Sequence, residues 1–110
     1  MDVAASQIMV LETVRSLAGL TEIQAEVQWA NGGSDLLGHR FFHVRHNGAP
    51  PCVSEAIEAV ILYGVSGGKQ SMTGHVTLPA ECDVVLEVWT NVDTTVATWS
   101  LEVTPAVVAP

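Results

Sequence analysis

Between Gly38 and His46 the chain reads Gly-His-Arg-Phe-Phe-His-Val-Arg-His, a stretch holding three of the four histidines and two of the four Lys/Arg residues. Imidazole exchanges a proton near neutral pH and is the commonest protein ligand for zinc, so chemistry is sought here first. Extended, the segment sends His39, Phe41, His43 and Arg45 to one side and Arg40, Phe42, Val44 and His46 to the other. His39 and His43 then stand two pleats apart, roughly 13 Å along the strand. That is too far for one zinc ion, whose ligand atoms lie about 2 Å from the metal. A helix would unite them, but Gly38 and the Asn47-Gly48 turn favour a strand. No metal and no cofactor are expected, and the segment reads as a local positive patch.

Other chemistry-bearing groups fail on spacing. Tyr63 to Ser71 is glycine-rich like a phosphate-binding loop, yet Tyr63 stands where the first glycine is required and Gln70 where a hydroxyl should hold magnesium. A glycine-rich turn is the simpler reading. No serine is flanked as Gly-x-Ser-x-Gly, and neither Cys52 nor Cys82 has a local activating motif. Glu55 and Glu58 read as solvated acids. The chain is not expected to be an enzyme. Trp29, Trp89 and Trp99 each stand among apolar residues that share their face, which favours core filling over a sugar-stacking platform.

Twelve acidic against four basic residues leave a net charge of −8. That field repels phosphate backbones, so direct nucleic-acid binding is not expected. No run approaches the roughly 20 apolar residues that span a bilayer, and Asp2 stands where a secretory signal would carry a positive charge. Synthesis in the cytoplasm without a signal peptide and no membrane contact are the expectations. Cys52 and Cys82 could pair in an oxidising setting, but in that compartment they read as reduced core thiols. One hundred and ten residues make one domain, while a 48% hydrophobic content is high for so small a core. Part of that apolar surface is expected to face another subunit.

The elements that must position these groups are mostly strands. From Glu22 to Trp29 the chain alternates without fault, Ile23, Ala25, Val27 and Trp29 against Glu22, Gln24, Glu26 and Gln28. Only a half-buried strand turns that pattern into burial. Further strands are predicted at Leu36–His46, around Ala59–Tyr63, and at Gly74–Leu78, Val84–Thr90 and Thr95–Thr104, the Ala59 strand being apolar enough to be central. Residues 2–20 fit either a helix capped by Asp2 or an extended segment from Gln7 to Arg15. The second is preferred because a hairpin through Leu17–Leu20 would give the Glu22 strand a neighbour. Strands spaced by about ten residues predict a mainly β fold: a single small antiparallel β-sandwich over 1–110, Ig-like or jelly-roll-like, with a short N-terminal helix or extended arms at 1–10 and 104–110.

The C-terminal half, His75 to Val92 followed by Val96 to Pro105, resembles the closing strands of small β-sandwich modules, and among them the capsid decoration (cement) proteins of tailed bacteriophages. The resemblance covers about half the chain in style of sequence and carries no diagnostic motif, so no functional residue transfers from it. It implies a virion structural protein that stabilises a protein shell by symmetric, multivalent contacts with the major capsid protein or other virion subunits, itself a dimer or trimer. From the residues themselves, polar fixing is expected from Arg40, Arg45 and the neighbouring histidines, His46 first among them. Apolar contact is expected from Phe42, from Met1–Val10 and from the uncharged tail with Val107 and Val108. A glycan-binding module of a tail or fibre is the alternative.

Overall fold

Period-two alternation dominates the chain, and the structure is built almost wholly from it. In a computed structural model that describes residues 1–30, 39–52, 55–63 and 68–106, eight strands form: β1 (Asp2–Val3), β2 (Met9–Ser16), β3 (Gly19–Trp29), β4 (His39–Asn47), β5 (Glu55–Tyr63), β6 (Lys69–Leu78), β7 (Cys82–Thr90) and β8 (Thr94–Pro105). The described residues contain no helix. Two four-stranded antiparallel sheets result, ordered β1-β8-β3-β6 and β2-β7-β4-β5. β1 pairs with β8, β2 with β7, β3 with β6 and β4 with β5, as in a long hairpin folded over on itself. That order is the eight-stranded jelly roll, which decides between the two sandwich types expected.

The core lies between the sheets. β3 contributes Ile23, Ala25, Val27 and Trp29 to it, the residues its alternation picks out. β4 adds Phe42 and Val44; β7 adds Val84, Leu86 and Val88; β8 adds Val96 and Leu101. Three register shifts interrupt the described ladders, one of them in β5 opposite Val44 and Arg45. In β2 the register shifts between Val10 and Glu12, and in β8 it shifts opposite Gln28 and Trp29, where exposed Ala97 falls out of the phase that Trp99 and Leu101 resume.

Three expectations about arrangement change. Residues 2–20 are extended rather than helical, but β2 and β3 do not form a hairpin: β2 pairs with β7 in one sheet, β3 with β6 and β8 in the other. The chain crosses between sheets at Leu17–Ala18 and turns at Gly19, whose φ of +112° is a conformation that a side chain would strain. β5 lies at the edge of its sheet rather than at its centre, because its one pairing is to β4. The first residues, expected as an arm, lie on the domain's own sheet. β1 is hydrogen-bonded to β8, Val3 is in the core, and the terminal ammonium of Met1 donates to the Val96 carbonyl at 2.9 Å.

The cysteines are also corrected. Cys52 and Cys82 form a disulfide with Cα atoms 5.6 Å apart, tying the end of the β4–β5 turn to the start of β7. That turn is tight: Gly48 has φ of +143°, and a Cβ there would lie 3.1 Å from Cβ of Cys52. The reading as reduced thiols rested on an inferred compartment; the pairing is set by where the fold brings two distant residues.

Candidate functional site

Both sheets have an outer face, and the two are chemically unlike. On the β1-β8-β3-β6 sheet, register and alternation set out Glu22, Gln24, Glu26 and Gln28 on β3, Ser71, Thr73 and His75 on β6, and Thr98, Ser100 and Glu102 on β8. This is a polar, acidic surface of the kind water covers. Lys69 reaches Glu26 at 3.1 Å, and His75 stands 3.6 Å from Glu22.

The outer face of β2-β7-β4-β5 reads differently row by row. Trp89 pairs with Phe41, which pairs with Ile61. In the next row stand Val10, Glu87, His43 and Ala59, and in the next Thr13, Val85, Arg45 and Ala56. Phe41 and Trp89 are stacked, ring centroids 5.5 Å apart, and the His43 ring lies 6.1 Å from Phe41. Val85 is only 4% exposed although it lies outside the core between the sheets. Its same-face neighbours on β2 and β4 hide it. Val10 on the edge strand is 48% exposed.

At the centre sits one charged cluster. Glu87, 5% exposed, faces two basic side chains from β4: His43 Nε2 lies 2.5 Å from its Oε1, and Arg45 Nε donates to the same oxygen at 3.1 Å. A carboxylate so sheltered needs such partners, since an unpaired buried charge costs several kcal/mol. At the far end of the sheet Arg15 bonds Glu81 at 3.1 Å and Asp83 at 3.3 Å, and these hydrogen bonds, Glu81 first, hold its guanidinium more firmly protonated. Glu87 on this face is thus met by His43 and Arg45, and Asp83 shares Arg15 with Glu81. Among the described side chains the face is apolar and aromatic around these paired charges.

Of the residues expected to bind a partner, Arg45 reaches this face, as does Val10 from the N-terminal segment. Arg40, Phe42 and His46 fall on the opposite phase of β4 and are buried between the sheets, which corrects their reading as surface contacts. Phe42 is core. Arg40 is 4% exposed, its guanidinium carbon 6.0 Å from the centre of the Trp29 ring and its Nε without a hydrogen-bond partner. Charge was the misleading signal; the alternation that places Phe42 and Val44 inside places Arg40 with them. Val107 and Val108 lie outside the described residues. The sequence marks His43 and Trp89 as candidates for metal and sugar; the residues it passes over are Phe41, Val85 and Glu87, and the strand phase they share with His43 and Trp89 could have found them.

Trp29 fills the core and donates from Nε1 to Gln70 Oε1 at 2.9 Å, while Gln70 donates to the Arg40 carbonyl at 3.0 Å. Trp99 packs against the core from the side, which leaves Trp89 as the tryptophan of an outer face. One groove of about 450 Å3 opens beside β1, lined by Asp2, Val3, Met9, Asp93 and Thr94 among others. Its acids brace the chain: Asp2 accepts from the Thr95 hydroxyl at 3.1 Å and Asp93 from the Ala5 amide at 2.8 Å. No protein-family model matches the chain, and comparisons with curated proteins and with solved structures return no match.

Proposed function

We propose that the protein is a structural subunit of a virion, a capsid decoration or cement protein that stabilises a protein shell through repeated contacts. The observation that carries the associative part of this reading is the contrast between the two outer faces. A sandwich finished by water alone would present polar alternation on both sheets, as β3 does. The second sheet instead carries Trp89, Phe41 and Val10 around a paired charge cluster, the composition of an interface centre rather than a solvated surface. Further apolar side chains, Met1, Ile8, Leu17 and Leu20, are exposed at the strand ends. The viral setting is supported by the resemblance of the closing strands and by the jelly roll, an architecture shared with capsid domains. A small subunit with modest contacts clamps a shell when symmetry repeats them, with no need for one tight interface.

This reading gives the protein no catalytic role, and its partners are the major capsid protein and further copies of itself. Quantitative mass spectrometry of purified particles tests it. The chain should occur in a fixed, small-integer ratio to the major shell protein and should sediment with emptied shells. Its absence from particles, or a trace amount varying between preparations, overturns the reading.

The stacked Phe41–Trp89 pair beside His43, Glu87 and Arg45 favours one alternative, a glycan-binding module, because sugar rings stack on aromatic faces while neighbouring polar groups bond their hydroxyls. Titration of a glycan panel against Trp89 fluorescence, with Trp89→Phe as the control, tests this. An unchanged spectrum throughout removes it.

A further inference from the structure

Resting on that reading, we infer that the outer face of the β2-β7-β4-β5 sheet is covered by the same face of a second copy, giving a two-fold dimer. Charge is the first argument. A molecule of net charge −8 resists meeting itself unless its negative groups point away from the contact. Among the described residues, Glu87 on this face is met by His43 and Arg45 and Asp83 shares Arg15 with Glu81, while Glu22, Glu26 and Glu102 belong to the outer face of the other sheet. Packed sheets lie about 10 Å apart, so those acids stand beyond the screening length of about 8 Å at physiological salt.

The second argument is that the central cluster needs nothing from a partner. Glu87 is already bonded by His43 and Arg45, so an identical apolar surface can close over it without stranding a charge. A differently charged partner would gain little from a face whose ions are spent on one another. A two-fold axis through the middle of the face would bring each copy's Val10, Phe41 and Trp89 onto the other's face, the self-matching geometry of an isologous contact. Size sets the strength. Four strands of about nine residues offer a projected face on the order of 600 Å2, below the roughly 800 Å2 per partner of a standard stable interface. A contact at this lower limit of size is expected to be reversible rather than permanent.

Sedimentation equilibrium of the full chain from roughly 1 to 500 µM tests the inference, with the disulfide intact. The wild type should show a monomer–dimer equilibrium that changes little between low and high salt. Val10→Asp and Thr13→Asp, both at exposed edge positions where the fold can carry a carboxylate, should each weaken dimerisation tenfold or more. Gln24→Asp on the other sheet should leave it unchanged. A monomer at every concentration overturns the inference, as does a dimer indifferent to both face variants. The two readings fail separately: a dimer that never joins particles keeps this inference and removes the shell role, whereas a strict monomer that binds shells through Trp89 does the reverse.

Discussion

A guanidinium buried in a domain of 110 residues must be set against what removing it from water costs. Arg40 lies over the Trp29 ring, has no carboxylate partner among the described residues, and leaves Nε unbonded. A desolvated ring contact returns on the order of 2 kcal/mol, against an effective desolvation penalty of several kcal/mol per buried ion. Arg40→Met, which keeps the volume and removes the charge, is therefore expected to leave stability unchanged or to raise it by about 1 kcal/mol in urea unfolding. A loss above about 2 kcal/mol would show that the guanidinium makes contacts the fold depends on. Glu87 is the opposite case, a sheltered charge with two good partners. Glu87→Gln leaves His43 and Arg45 without their carboxylate and should cost about 2 kcal/mol, read from the same unfolding curves. Phase and charge competed along β4 in the sequence: the alternation separated Arg40 from Arg45 correctly, but a positive charge was weighed as a surface signal where the strand's phase outranked it.

Each strand was legible in proportion to how completely one face is buried. β3 alternates without fault and lies in the middle of its sheet with β6 and β8 on either side, so one face is core along its whole length. β7 and β8 read nearly as well, apart from the bulge near Ala97, which no local pattern announces. β5 was misjudged because a continuous apolar run does not distinguish a strand paired on both sides from one paired on a single side. The supposed hairpin between β2 and β3 failed for a different reason. Sequence neighbours usually pair, as β4 and β5 do, but in the jelly roll the chain changes sheets at Leu17–Ala18, so that β2 finds its partner in β7 and β3 in β6 and β8. The same long-range closure brings Cys52 to Cys82 across 30 residues. Constraining that loop in the unfolded chain is worth about 3.5 kcal/mol in the chain-entropy model. Cys52→Ala/Cys82→Ala, or reduction of the wild type, should lower unfolding stability by roughly that amount; equal stability with and without reductant would show that the bond does not form in solution.

At the scale of the whole molecule, the sandwich is a two-faced object. One face is wet and acidic; the other is aromatic around paired charges. Its disulfide is of the kind that persists in oxidising surroundings. That polar and apolar faces exist was implied by the composition, since so small a core cannot absorb a 48% hydrophobic chain. Which face is the apolar one could not be read locally, because it depends on strands 2, 7 and 4 lying side by side. The most direct test of the central claim is oxidative footprinting of the protein free at low concentration, self-associated at high concentration, and bound to shells. Trp89 and Phe41 should lose label uptake on association while His75, on the outer face of the other sheet, keeps it. Unchanged labelling of Trp89 in every state, or protection of His75 in its place, would contradict the account.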